Sequence, residues 1–425
     1  MNNISPIDGR YRHYTKELND IFSEKAYILQ KLIIEIYYFV FLLKLDSQSF
    51  PYKAELEKLM LDFIKLLTDE DINEIKKIEN TINHDVKSIE YFLAKFLKNN
   101  NYSQYINLLH FGLTSQDINT MTYSDSLSKF NTLVKNNIDN LFIEMNKSIS
   151  KWNEVVIVGR THGQAASWTI LGKEFKVFLS KLQLESTNLD NYKFTTKFGG
   201  AVGNMTSHKL LDNKIDWDNE LDNFVEKFNL KRSKITTQIH NYNEYAQYFD
   251  ILKRICSILI DMCVDIWLYC SFGELTLIKP NEHVGSSIMP HKVNPIEFEN
   301  AEGNLKIAEM WLQFFSQELC KSRLQRDLTD STILRNLGVM GGHFLIAIKN
   351  IIKGFTYLQE NREKIEKILY ENLNSMSEID QHLLRIENKV NGYDEVKKNP
   401  TKNNPIQSKD KNLELIETYK KYILI

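Results

Sequence analysis

The sequence predicts an all-α protein of three helical domains, the middle one a bundle of long helices, and three observations support this. Gly and Pro number only 16 and 7 in 425 residues, about 5% where ~12% is usual, so turn formers are scarce. Apolar residues then recur in a 3-4 alternation from Asn243 to Phe272, through Tyr245, Tyr248, Phe249, Leu252, Ile255, Leu259, Met262 and Ile266. That stripe describes a rod of roughly 40 Å, a length that packs as an antiparallel bundle. Strand evidence is thin, with "VVIVG" (Val155 to Gly159) the best short candidate.

Along the chain, the opening "MNNISPIDGRYRHY" lacks the apolar centre of a secretory signal. Helical periodicity begins at Asp20–Leu45 and includes "IYYFVFLL" (Ile36 to Leu43), a run too short to cross a bilayer and read as a buried helix segment. "KNNNYSQ" near Asn100 interrupts the pattern, which places the first boundary so that residues 1–103 form an N-terminal helical domain. Residues 104–353 form the central bundle, with helices expected over Tyr123–Trp152, Gly172–Lys193, Asn243–Phe272 and Glu297–Leu319. A last periodic stretch, Gly341–Leu373, leads into a small C-terminal domain, 354–425. The polar Lys397–Asn412 segment there reads as an exposed loop or linker.

Charge excludes some partners. Fifty-three basic and 55 acidic residues give a formal net charge of −2, so neither nucleic acid nor an anionic membrane is an expected partner. Any polyanionic ligand must be met by cations gathered locally. Cys256, Cys263 and Cys270 recur every seven residues on one helical face, ~10 Å apart and too far for a disulfide. With Cys320 they form no CxxC pair, and the expected compartment is reducing and cytoplasmic.

The chemistry concentrates in loops. In "GSSIMPHKVNPIEFEN" (Gly285 to Asn300), Asn294 reads as an N-cap, Pro295 as the first helical position and Glu297 as a capping-box acid. The helix start offers free N–H groups to an anion, and Lys292 adds a full charge. Ser286 and Ser287 would ride on a segment able to close over a ligand. A surface loop with ordinary capping explains the same residues. "GRTHGQ" puts His162 among Gly and polar residues, where an imidazole titrating near neutrality suits a proton donor; a structural His is the alternative. "TINHDVK" sets Asn83, His84 and Asp85 at a helix start, with capping by Asn83 as the simpler reading. "LTSQD" puts Thr114 and Ser115 where hydroxyls and N–H groups hold a carboxylate or cap a helix. "SRLQRDLTDSTILRN" carries Arg323, Arg326, Ser331 and Arg335, either an anion site or a solvated face paired with Asp327 and Asp330.

Taken together, these motifs carry a resemblance. "GSSIMPHKVNP" is similar to the signature loop of the fumarase/aspartase superfamily. "RTHGQ", "NHDVK", "LTSQD", "RDLTDSTILRN" and "SPIDGRY" resemble its adenylosuccinate lyase family, bacterial-type branch. Ala165 stands where a Pro usually follows "HGQ". The resemblance runs from Ile4 to about Asn350 and fades beyond, where the chain looks shortened and rich in Lys and Asn.

The resemblance implies a mostly helical protomer whose central helices assemble into a homotetramer with active sites shared between subunits. It implies elimination of fumarate from adenylosuccinate, giving AMP, and from SAICAR, giving AICAR, with no metal or organic cofactor. Ser286 is then the general base and His162 the general acid. Thr114, Ser115 and Asn294 hold the succinyl carboxylates, and Lys292 stabilises developing charge. Gln238 (in "TTQIHNYNE") and Asn83, His84 and Asp85 contact substrate. Arg10, Tyr11, Arg326, Ser331 and Arg335 take the phosphate and ribose, since the guanidinium fork suits phosphate. Two other readings stand beside this one: a superfamily member acting on another succinyl or aspartyl substrate, and a binding or structural protein that kept the fold without catalysis.

Overall fold

The structure, a computed structural model, describes residues 3–45, 49–280, 289, 292–372, 375, 377–387 and 391–398. Helices dominate it, and the strands among the described residues form three two-stranded sheets. The chain divides into two compact units, one of residues 1–136, 187–254 and 307–346, the other of 137–186, 255–306 and 347–425. The five division points fall inside the helices Ser115–Trp152, Leu171–Asn191, Asn243–Phe272, Ile296–Glu318 and Leu337–Tyr357.

In the first unit, helices Glu24–Lys44, Ala54–Leu66, Asp69–Ile82 and Asp85–Asn99 share one core, with Leu32, Ile36, Phe39, Leu56, Met60, Ile75, Leu93 and Leu97 buried against each other. Local signals start these helices. Ser23 Oγ accepts from Ala26 N at 3.1 Å, and Thr68 with Asp71 makes a full capping box. "IYYFVFLL" is buried as expected, apart from the half-exposed Tyr37, because the helix has two apolar faces. One faces the shared core, and the other sets Tyr38 and Phe41 against Phe198 and Phe224. The run belongs to a 21-residue helix. By length and composition alone Arg12–Lys44, Asn243–Phe272 and Thr329–Tyr357 are each long and apolar enough to cross a membrane.

The second unit has an aromatic core in which Trp152 packs on Phe175, Phe175 on Phe355, and Phe355 on Phe298. The "VIV" run is a strand, Val156–Thr161, paired antiparallel with Gln164–Ile170. The helix expected over Gly341–Leu373 ends at Tyr357. Leu358–Glu360 instead pair with Leu275–Leu277, and Asn361 Oδ1 then caps a new helix by accepting from Lys364 N at 3.2 Å. The helix expected from Tyr123 starts eight positions earlier, at Ser115, and the one expected from Asn243 to Phe272 has those bounds.

Candidate active site

In the first unit, five of the chain's loop motifs meet through hydrogen bonds. His84, not Asn83, caps the helix Asp85–Asn99: its Nδ1 accepts from Lys87 N at 3.1 Å. The ring proton therefore sits on Nε2, 3.5 Å from Ser115 Oγ. Asn83 instead closes the preceding helix in a left-handed conformation, φ 55°, a shape Asn tolerates. Burial alone would raise the Asp85 carboxyl, but Lys31 Nζ at 2.5 Å holds it below the usual carboxylate range.

Thr114 and Ser115 stand at the start of the 38-residue helix, where Thr114 N donates to Asp117 Oδ2 at 2.7 Å. Asp117 is the hub of a network with no counterpart in the sequence-based expectations. Its Oδ1 accepts from Lys197 Nζ at 2.6 Å and from Gly199 N at 2.7 Å, and both its oxygens lie 3.2 Å from Gly200 N. Both charged side chains are 0% exposed. Burial depresses the Lys197 amine below its ordinary value, with Asp117 opposing that shift.

The loop after Lys197 passes close to residues 236–238. Gly203 has φ 82°, and a Cβ there would meet Thr236 O at 2.2 Å, so only glycine fits. Ala201 O accepts from Gln238 Nε2 at 2.9 Å, and Gln238 Oε1 accepts from Arg326 Nη1 at 3.2 Å. Asp330 is buried and accepts from Tyr242 Oη at 2.8 Å and Gln116 Nε2 at 3.2 Å, beside the half-buried Ser331. That corrects the expectation of a solvated face in which Asp330 pairs with arginine. Arg323 does lie near Asp327, at 3.9 Å. Arg335 and Arg10 are exposed, and Tyr11 is half-buried before the turn Arg12–Thr15.

The second unit holds His162 at the tip of its hairpin. Thr161 pairs with Gln164, so His162 and Gly163 make the two-residue turn, both with positive φ, 54° and 74°. The imidazole is exposed. Ala165 is paired with Arg160 in the ladder. Arg160 anchors the strand: Nη1 lies 2.9 Å from the fully buried Glu274 carboxylate, and the guanidinium sits 4.2 Å over the Phe272 ring. Burial raises the Glu274 carboxyl above its usual range while Arg160 opposes that.

Ser286 lies outside the described residues, as do Gly285, Ser287 and His291. Lys292 is exposed. The helix expected to begin at Asn294 starts at Ile296, with Pro295 O accepting from Glu299 N at 3.2 Å. Glu297, in the first turn of that helix, is buried. Its Oε2 accepts from Lys279 Nζ at 2.6 Å, and the same amine donates to Asn294 O at 2.9 Å. Lys279 thereby fastens the residues that follow the signature loop.

Sequence reasoning missed Asp117, Lys197, Arg160, Glu274 and Lys279. One signal was present: "TKFGGAVGN" places three glycines within five positions of a glycine-poor chain.

Comparisons with known proteins agree on one family. A lyase family model matches residues 9–308, and a model described as adenylosuccinate lyase C-terminal matches 322–421. The second match corrects the expectation that the resemblance fades beyond about Asn350. Adenylosuccinate lyase of Dictyostelium discoideum is 40% identical over 407 residues, covering 93% of this chain and 87% of that protein. The protein of the same name from Legionella pneumophila (strain Corby) is 38% identical over 406 residues, covering 93% and 88%. Among solved structures, fumarate lyase from Mesorhizobium sp. BNC1 superposes with a TM-score of 0.71 at 14% identity, covering 96% of this chain and 86% of that one. β-Carboxy-cis,cis-muconate cycloisomerase from Acinetobacter calcoaceticus sp. ADP1 gives 0.72 at 14%, covering 96% and 91%. At that identity the two structures speak to the fold, which is all-α.

Proposed function

The chain belongs to the adenylosuccinate lyase family of the fumarase/aspartase superfamily, and from that premise we propose how its residues carry the reaction. The enzyme is a carbon–nitrogen lyase of purine nucleotide biosynthesis that splits adenylosuccinate into AMP and fumarate. SAICAR, which carries the same succinyl-amine linkage, is the second substrate in this reading.

The substrate bears two carboxylates and a phosphate. Its reaction removes a carbon-bound proton beside a carboxylate and expels a nitrogen. Ser286 takes the proton, which gives a doubly negative aci-carboxylate. Lys292 stabilises that charge, and each well-aimed donor at such a centre is worth ~3–4 kcal/mol. The electron pair of the broken C–H bond becomes the C=C bond of fumarate as the C–N bond breaks. The departing N6 nitrogen takes a proton from His162, so protons and electrons balance without a cofactor. A ladder-paired strand tied down by Arg160 and Glu274 supports that role, because a general acid must be held within hydrogen-bond reach of its target. Thr114, Ser115 and Asn294 bind the succinyl carboxylates. Asn83, His84, Asp85 and Gln238 line the middle of the substrate. Arg10, Tyr11, Arg326, Ser331 and Arg335 take the ribose phosphate.

The observation that carries this assignment is the His84–Ser115 contact, which brings two separate motifs of the sequence to one helix start. The finer organisation is part of the same proposal: domains 1–103, 104–353 and 354–425, a homotetramer with shared sites, and a cytoplasmic location. Supporting self-association, only 33% of the most apolar stretch of Asn243–Phe272 is buried within the chain. Val264, Trp267, Leu268 and Phe272 are 37–43% exposed there. The four cysteines form no disulfide, which fits a reducing compartment.

The test is fumarate release, followed by absorbance, from adenylosuccinate, argininosuccinate, malate and aspartate in parallel. Turnover is expected with adenylosuccinate. A folded protein that releases fumarate only from another of the four, or from none, overturns the reading.

A further inference from the structure

We propose that the buried Asp117–Lys197 pair is a positioning device, which holds the carboxylate-binding end of the substrate site at a fixed distance from its nucleotide-binding end. This rests on the substrate assignments proposed above.

The argument begins with what the pair cannot do. Both side chains are 0% exposed, so neither reaches a ligand. Such a pair is also a weak way to gain stability, since taking two charges out of water offsets most of their attraction. What a carboxylate does provide is direction. Asp117 gathers donors from three places: Thr114 N at 2.7 Å, Lys197 Nζ at 2.6 Å, and Gly199 N at 2.7 Å with Gly200 N at 3.2 Å. Lys197 Nζ donates in turn to Gly200 O at 2.5 Å. No neutral side chain of that size accepts so many donors, so the helix start and the glycine loop are locked in one arrangement.

The lock lies between the two ends of the candidate site. On one side Thr114 and Ser115 await the succinyl carboxylates. On the other, Ala201 O holds Gln238 Nε2 at 2.9 Å, and Gln238 Oε1 receives Arg326 Nη1 at 3.2 Å. The path from Thr114 to Arg326 thus runs through hydrogen bonds joined by the single peptide link Gly200–Ala201, all within one compact unit. A substrate spanning both ends is sensitive to their separation, whereas each product touches one end only.

The test compares Lys197→Met and the double variant Asp117→Asn/Lys197→Met, which leaves no bare buried charge, with the wild-type enzyme. Three quantities are measured: kcat/KM for adenylosuccinate, and inhibition constants for AMP and for fumarate as separate products. The inhibition constants are expected to stay within about 3-fold of wild type while kcat/KM falls ~100-fold, the scale of a misplacement near 1 Å. Unchanged kcat/KM overturns the proposal. So do inhibition constants that worsen in proportion, which mark local collapse, and so does failure of both variants to fold, which assigns the pair to stability alone. Wild-type protein inactive on adenylosuccinate fails the functional reading instead, and the wild-type arm shows this separately.

Discussion

His162 occupies a backbone conformation that few side chains adopt, φ 54°, at the apex of a two-residue turn. It is exposed there, at the end of a ladder-paired strand. His162→Gln keeps the size and polarity but removes the proton donor, so kcat is expected to fall ~10²–10⁴-fold with KM nearly unchanged, as steady-state kinetics will show. Two other histidines act on stability. His208 and His240 are buried, and burial depresses them to about 4 and about 3 respectively. Nδ1 of each finds no hydrogen-bond partner among the described residues. The unfolded chain binds more protons than the folded one below the ordinary pKa of ~6.5, so both residues make stability fall as pH drops from ~6.5 through 4. His110 has the opposite sign. Burial lowers it, but Glu35 at 2.5 Å raises it above its usual value, so its contribution is complete below ~6.5 and is lost as pH rises through the raised value. His208→Gln is expected to remove ~2 kcal/mol of the stability lost between pH 7 and 4.5, measured as urea midpoints at the two values. None of these three states was legible in the sequence, because burial and partner are set by distant chain segments.

Elements were legible where one physical signal dominated. The apolar stripe of Asn243–Phe272 predicts that helix with its observed ends, since the 3-4 alternation runs from one to the other. The hairpin was half legible. Its first strand is a plain apolar run, while its partner opens with "QAAS", small or polar residues with no large apolar side chain before Trp168. The break at Tyr357 was invisible because apolar spacing continues through it, and what ends the helix is pairing with Leu275–Leu277. Among the candidate residues, "THGQ", "NHDVK" and "LTSQD" announced themselves by polar residues at helix and turn positions. A lysine destined for the interior looks like any surface lysine, so Lys197 did not. Two predictions belong to this scale. Arg160→Met leaves Glu274 without its cation and is expected to cost ~3 kcal/mol, read from the urea midpoint, with a matching loss of turnover as the hairpin loosens. Gly203→Ala drives a methyl into Thr236 O and forces a strained φ, so kcat/KM is expected to fall at least ~10-fold while circular dichroism stays helical.

For the molecule as a whole, the apolar surface on Asn243–Phe272 is what a homotetramer would cover. Val264→Glu puts a charge into that surface and is expected to shift sedimentation towards smaller species and to reduce turnover at low protein concentration. A tetramer of wild-type strength would argue against this face as the contact. If sites are shared, two inactive variants, Ser286→Ala and His162→Gln, regain activity when their subunits are exchanged in solution, and no recovery after verified exchange counts against sharing. The sealed amine of Lys197 has one more consequence, for reagents rather than substrates. Its nitrogen lies out of water and is committed to Asp117 and Gly200. An acylating probe added to the intact enzyme should therefore mark the rim lysines within minutes and reach this one only when the surrounding fold comes apart, so the mass tag on a single peptide becomes a clock for how often the protein breathes open.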